Sequence, residues 1–340
     1  MTYGTYRARL ALKGPISAPW QADTIFGHIC WTVRDLWGEA ALDELLAECR
    51  AGTPPFTVSD AFPADFLPKL EVAEELFDRV CSPSERASLP AKLEWLSRRS
   101  LLPLPAFESL RRGEPFDLDP RTIGREPALM PVRCERRTID RFAGKFDASI
   151  PGSRNVFVPA PPSEDDGVRG TSAGAASEHP VYSIYVKAGR DWPEKIETCF
   201  KTMAIGGMGG GASVGMGRFE LLAMERFCFA PIEKANGFVS LSHFTPARSD
   251  PTEGSYRLSI KRGRIGRPLS GASPFKRPVF MLTPGSCFRT DSQPSEIYGR
   301  AVENISDSNP AVMQMCFAFA LPIRLPWWGE LGRVARGTAG

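Results

Sequence analysis

Between residues 5 and 12 the chain reads TYRARLAL, with apolar and polar positions alternating. Tyr6, Ala8, Leu10 and Leu12 fall on one side and Thr5, Arg7 and Arg9 on the other, which predicts a half-buried strand. After a turn at Gly14 and Pro15 the period changes. Asp23 offers an N-cap, and Ile25, Ile29, Val33 and Leu36 make one apolar stripe, so a helix is predicted, with a second helical stretch, ALDELLAECR, ending at Arg50. PFTVSDAFP (55–63) reads as extended, and 71–112 as helical. VYSIYVKA (181–188) is a strand. Asp191 and Pro193 open a further helix, whose Ile196, Cys199, Phe200 and Met203 share a face. RFELLAMERF (218–227) returns as a strand.

The order strand, helix, extended segment, strand, helix, strand is that of a βαββαβ unit. The second half reads mostly as strands: FVSLSHF (238–244), YRLSIKRG (256–263), PVFMLT (278–283) and MQMCFAFAL (313–321). In the last of these Met313, Met315, Phe317, Phe319 and Leu321 would share one face. It is a candidate degenerate copy of the first half, rich in strands and poor in helix. Residues 163–178, SEDDGVRGTSAGAASE, read as a disordered loop.

Composition narrows the function classes. At 340 residues, 42% hydrophobic and 24% charged, the chain is expected to fold as roughly two domains. Its net charge of +3 is small, so any affinity for nucleic acid has to come from local clusters. The eight cysteines are scattered with no CxxC pair, which argues against a zinc site and fits a reducing cytoplasm. Cys30, Cys199 and Cys316 lie in apolar runs and read as core residues. No apolar run reaches the ~18 residues of a membrane span, and no signal peptide is recognisable.

The strongest local anomaly is GGMGGGASVGMGRFEL. Seven of the twelve positions from Gly206 to Gly217 are glycine. A P-loop would need a Lys after a glycine, and none follows here. Gly207, Gly209 and Ala212 match G-x-G-x-x-A, the basis for a nucleotide-dependent enzyme. In a dinucleotide site, however, the loop opens a helix, whereas here the helix comes first. The third reading is a groove for an extended polyanion, with Gly209, Gly210, Gly211, Ser213, Gly215 and Gly217 supplying bare amides and Arg218 a charge. A plain linker would not end directly in RFELL or include Met208, Val214 and Met216.

A second cluster lies in RCERRTIDRFAGKF, residues 133–146. Arg133, Arg136, Arg137, Arg141 and Lys145 alternate with Ile139, Phe142 and Phe146, a pattern suited to phosphate contacts and base stacking. The residues alone leave open a solvated basic loop that ion-pairs with Glu135, Asp140 and Asp147. KRGRIGR (261–267), with Lys261 and Arg262, and the pair Lys276 and Arg277, fit equally a contact to RNA or a partner and a charged turn that keeps a strand edge soluble. Trp327 and Trp328 fit either a core or a partner surface.

These segments resemble a known family. GGGASVGMGRFEL resembles the glycine-rich loop of the RAMP superfamily of CRISPR RNA-binding subunits. PWQADTIFGHICW, PFTVSDAFP, RRTIDRFAGKF, and PFKRPVFMLTPGSCF with YGR (298–300) resemble, in order, segments of the fourth-subunit family of type III-A (Csm) effector complexes. The resemblance implies an α+β fold of two ferredoxin-like, RRM-like domains. The first, 1–232, would carry a helical insertion (about 71–112) and a β-hairpin thumb (about 125–160); the second would span 233–340. It further implies a subunit that grips the 5′ handle of the CRISPR RNA (crRNA). Its neighbours would be a large palm-domain subunit and a backbone RAMP subunit, with the thumb at target RNA. The glycine loop and Arg133, Arg136, Arg137, Arg141, Phe142 and Lys145 would then touch RNA, with His28, Lys261, Arg262, Lys276 and Arg277 as further candidates. No catalytic residue, metal or cofactor is expected. Many loops of the family carry Lys or Arg where this chain has Gly211 and Ala212, so its charge would come from elsewhere. The alternative is a metal-independent endoribonuclease that uses His28 for proton transfer. Such a site needs a second group within reach, and the sequence names none.

Overall fold

The computed structural model describes residues 2–80, 88–118, 123–127, 129–140, 145–159, 179–212, 215–265, 275–307 and 309–328. The chain opens with strand β1 (Gly4–Leu12) and helices α1 (Ala22–Trp37) and α2 (Glu39–Arg50). Short strands β2 (Phe56–Val58), β3 (Phe62–Pro63) and β4 (Phe66–Pro68) lead to α3 (Ala73–Val80), α4 (Leu89–Ser97), β5 (Leu101–Pro103) and α5 (Leu104–Arg111). A long hairpin of β6 (Leu129–Asp140) and β7 (Lys145–Pro159) precedes β8 (Val181–Ala188), α6 (Trp192–Gly206) and β9 (Phe219–Arg226).

The first sheet runs β2-β8-β1-β9, antiparallel throughout, with β3 also on β8. α1 and α6 contribute Ile25, Ile29, Ile196, Cys199, Phe200 and Met203 to the same core as Ala8, Leu10, Ile184 and Val186. Phe56 holds the two helices together, its ring 4.7 Å from Phe26 and 4.8 Å from Trp192. Burial pushes the Cys199 thiol up to about 12, as expected of a packing residue rather than a reactive one. The hairpin is tied down at its base, where Ile16 and Phe157 exchange both backbone hydrogen bonds, at 3.0 and 2.8 Å.

Two local expectations are corrected. Asp23 does not cap α1. Gln21 is the N-cap residue, and the free amide of Ala22 donates to the Asp60 carboxylate at 2.9 Å, a cap supplied from the loop between β2 and β3. Leu36 does not continue the buried stripe but is exposed in the last turn of α1.

The second half consists of β10 (Gly237–Ser240), β11 (Gly254–Ser255), β12 (Leu258–Lys261), β13 (Val279–Leu282), β14 (Cys287–Arg289), β15 (Gly299–Val302), β16 (Gln314–Phe317) and β17 (Ala320–Ile323). A four-stranded sheet runs β11-β14-β10-β17, beside the ribbons β12-β13 and β15-β16. Among the described residues no helix of this half accompanies the strands. MQMCFAFAL is not one strand. It breaks at Ala318, whose amide donates to Tyr298, while Phe319 is fixed by the hydroxyl of Ser242 and the amide of Leu241. Met315 and Phe317 therefore enter the first core, and Phe319 and Leu321 the second.

That second core is shared with the helices α3, α4 and α5. Leu76, Phe107 and Leu110 pack with Val239, Leu321, Ile323 and both Trp327 and Trp328. The tryptophan pair is thus core. Arg111, 1% exposed, locks the arrangement, pairing with Glu108 at 2.9 Å and donating to the Pro322 and Ala230 carbonyls. A buried guanidinium is tolerable only when its donors are satisfied in this way.

Candidate nucleic-acid interface

The glycine loop leaves the C-terminus of α6 and folds back on itself before β9. Its two limbs pinch together: Met208 N–H donates to Gly217 O at 2.9 Å, and Gly217 N–H donates to Pro15 O at 2.9 Å. A Cβ on Gly217 would lie 1.9 Å from the Met208 oxygen, and one on Gly207 would lie 2.7 Å from that of Met216. At these two positions the glycines make room for the loop's own backbone.

The remaining contacts hold the loop to α1 and to the segment before it. The buried Trp20 donates its indole N–H to Met208 O at 3.2 Å, with its ring edge-on to Phe219. Gly209 N–H donates to Nε2 of His28 at 2.8 Å. His28 must therefore present a bare lone pair there and carry its proton on Nδ1, which fits the downward push that burial gives its pKa. Nearer the tip, Gly215 N–H donates to Ala212 O at 3.0 Å and Met216 N–H to Gly211 O at 3.2 Å. The amides of Gly209, Gly215 and Gly217 are thus already in use. Because the peptide is planar and trans, the inward Gly211 carbonyl turns the Ala212 N–H the opposite way, out of the loop. The tip runs from Gly210 to Ala212, with Gly211 and Ala212 half-buried and Arg218 exposed at the base of β9. Ser213 lies outside the described residues.

His28 is therefore a loop clamp. His28→Ala removes the acceptor of a part-buried amide, which costs about 1–3 kcal/mol, and is expected to loosen the loop. His28→Gln, which can offer an oxygen, should restore most of the lost order. Hydrogen exchange at residues 207–217 checks both.

Gln21, Thr24 and His28 lie on one side of α1 and lead from the glycine loop to the second half. At the far end sits a polar cluster that sequence reasoning missed. Asp60 Oδ2 meets Nδ1 of His243 at 2.6 Å, while Asp60 Oδ1 accepts from the amides of His243 (3.1 Å) and Ala22 (2.9 Å). The other ring nitrogen of His243 lies 3.2 Å from Gln21 Nε2. Burial works against the His243 imidazolium, but the charge and hydrogen bond of Asp60 outweigh it, and its pKa is raised. No spacing rule links residues 60 and 243; a lone Asp inside the apolar run PFTVSDAFP was the only hint.

The other candidates are dispersed. Lys261 is spent on Asp23 and, at 3.0 Å, on the Thr24 hydroxyl. Lys276 is half-buried and donates to Met313 O at 3.3 Å, and its loss of solvent lowers its pKa. Arg277 pairs with Asp307. Arg262 is exposed, and so is Arg133 on β6. Arg136, Arg137 and Lys145 fall on the backbone of the hairpin, where Arg136 faces Gly152 and Lys145 faces Asp140. Arg141 and Phe142 lie outside the described residues. Among the described residues there is no cluster of His, Cys, Asp or Glu fit to hold a metal ion, and no helix long and apolar enough to cross a membrane.

No family model and no curated protein matches the chain. Solved structures do. The chain is 17% identical to a chain of a Csm1–Csm4 cassette crystallised with pppApA, with a TM-score of 0.57, covering 95% of this chain and 99% of that one. Against the same cassette with AMPPNP the identity is 19% and the TM-score 0.58, with the same coverage. Against the Csm3–Csm4 subcomplex of the type III-A CRISPR-Cas interference complex the values are 13% and 0.51, over 93% and 99% of the two chains. The expectation drawn from five short segments thus meets a likeness that runs through almost the whole length of both chains, and this chain has the fold of a Csm4-like subunit of type III CRISPR complexes.

Proposed function

We propose that this chain is a non-catalytic RNA-binding and assembly subunit of a type III-A interference complex, gripping the 5′ handle of the crRNA. It stands between a large subunit of the Csm1 kind and a backbone subunit of the Csm3 kind. The observation that carries this reading is the glycine loop, braced by His28 and Trp20 so that its tip is left to a ligand, on a Csm4-like fold. Phosphate oxygens take the tip amides of Gly210, Gly211 and Ala212 with Ser213, and Arg218 adds charge. Gly209, Gly215 and Gly217 shape the loop.

The sheet order β2-β8-β1-β9 with α1 and α6 is the ferredoxin-like unit of an RRM-type domain, and the strand-rich second half is its diverged partner. The hairpin β6-β7, with Arg133, Arg136, Arg137, Arg141, Phe142 and Lys145, is the thumb that reaches target RNA. His28 is occupied as a clamp, which leaves it no free role in proton transfer.

The test uses the purified chain and labelled CRISPR-repeat RNA, with and without a handle of about eight nucleotides. Binding and denaturing gels are run from the same tubes. Handle-dependent binding of intact RNA is expected, weakening by about tenfold or more between 50 and 200 mM salt. Gly210→Glu, which sets a carboxylate at the tip, is expected to remove the handle dependence. Equal affinity for both RNAs would overturn the handle grip, and discrete cutting at the repeat would overturn the non-catalytic role.

A further inference from the structure

A groove of about 890 Å³ opens beside the four-stranded sheet. It is lined by residues 249–254, which lead into β11, by residues 289–293, which leave β14, and by Trp328. Its charge runs against that of the chain, which is +3 overall. Four carboxylates, Glu75, Asp250, Glu253 and Asp291, face one guanidinium, Arg289. Glu75 is spent on Arg79 at 2.8 Å, and Arg289 approaches Glu253 no closer than 3.4 Å. Asp250 accepts from the amides of Ala247 and Gly299 at 2.8 and 2.7 Å, both on Oδ2, so Oδ1 keeps its acceptor capacity. Among the described residues no cation pairs with Asp250 or Asp291. Carboxylates gathered in one groove repel each other and favour a cationic occupant.

The chain supplies one. Trp328 packs in the second core and also lines the groove, so the residues after it set out within a side chain's length of its wall. Those residues, Gly329 to Gly340, lie outside the described residues. They read GELGRVARGTAG, with Arg333 and Arg336 as cations and Glu330 as the one acid, which has Arg289 to meet. Arg333 is five residues past Trp328 and Arg336 eight, spans of up to about 17 and 27 Å of extended chain. A tethered segment meets the groove at an effective concentration in the millimolar range, so weak, exposed ion pairs suffice to seat it. RNA fits poorly, because its phosphates would face the same four carboxylates. We infer that residues 329–340 return to this groove and dock there, with Arg333 and Arg336 paired to Asp250, Glu253 and Asp291. The inference does not depend on the RNA role proposed above.

The experiment uses the full chain carrying Arg333→Lys and Arg336→Lys, which keep the charge and supply amines. A carbodiimide joins an amine to a carboxylate, with loss of water, only where the two are in contact. Digestion and mass spectrometry then locate the links. Links from positions 333 and 336 to Asp250, Glu253 or Asp291 are expected. Their yield should fall by about threefold or more when Glu253→Gln and Asp291→Asn are added, and again in about 1 M salt, where the screening length is about 3 Å. Glu253 and Asp291 are exposed, so the unfolding midpoint should hold. Absence of these links, or links scattered over other carboxylates with no response to the two groove substitutions, would overturn the docking. Mixing isotope-labelled with unlabelled chain separates the last possibility: links that join labelled to unlabelled protein would mean that the segment serves a second copy, which also overturns the inference.

Discussion

Gly217→Ala is expected to weaken handle binding by about 100-fold and to lower the unfolding midpoint in the same variant. Residue 217 sits at φ +67°, and a methyl group there would meet the Met208 oxygen at 1.9 Å. The left-handed backbone alone costs about 1–3 kcal/mol for a residue other than glycine, and the clash comes on top. Met208 cannot retreat cheaply, because its amide is bonded to Gly217 O and its carbonyl to the Trp20 indole. Pushing it aside also drags Gly209 from His28. Both ends of the tip would lose their anchors at once. Gly215→Ala is the matched control: its φ of +84° is equally unfavourable, but nothing lies within 4 Å of the added Cβ. It should lose only about 1–2 kcal/mol of stability and keep most of its RNA affinity. Thermal unfolding and RNA titration of the two variants side by side decide the matter. Equal losses would mean that backbone conformation, and not the pinch, governs the loop.

The first sheet was legible in the sequence because its elements carry clean periods. TYRARLAL alternates as β1 does, and Ile196, Cys199, Phe200 and Met203 recur at helical spacing on the buried side of α6. The glycine loop was visible as an anomaly, but its internal economy was not. That Gly217 faces Met208 O, or that His28 receives the Gly209 amide, depends on contacts between residues as much as 181 positions apart. MQMCFAFAL misled because alternation reports which side is buried and not against what. Met315 and Phe319 are both buried, in different cores. The α1 cap was misassigned for a related reason. Asp23 has the right residue type in the first turn, but Asp60 reaches the Ala22 amide from another segment and releases Asp23 to pair with Lys261. Lys261 and Lys276 read as free cations for the same reason, since their partners are far away in sequence.

Asp60→Ala is expected to destabilise the fold by about 3–5 kcal/mol, the largest loss among single polar side chains at this cluster. The carboxylate is almost fully buried, and it holds the first amide of α1, the backbone of His243 and its ring together. Removing it leaves an uncapped helix end and a histidine without its counter-charge, both at the contact between the two halves of the chain. Asp60→Asn keeps an oxygen for the two amides and loses only the charge, so it should cost less and also change the pH dependence. The His243 pKa is raised in the folded state. Its contribution is therefore complete below the ordinary histidine value of about 6.5 and disappears as pH rises through the raised value. His28 has the opposite sign. Its pKa is lowered, so the stability it supports is present above about 6.5 and is lost as pH falls through the lowered value. In a comparison of wild type with Asp60→Asn the His28 contribution cancels, because both proteins carry it. The difference in unfolding free energy, measured by denaturant titration from pH 5 to 9, should be large at the acid end and shrink above neutrality. A difference that stayed flat across this range would mean that Asp60 acts through its hydrogen bonds alone and does not favour the charged form of His243.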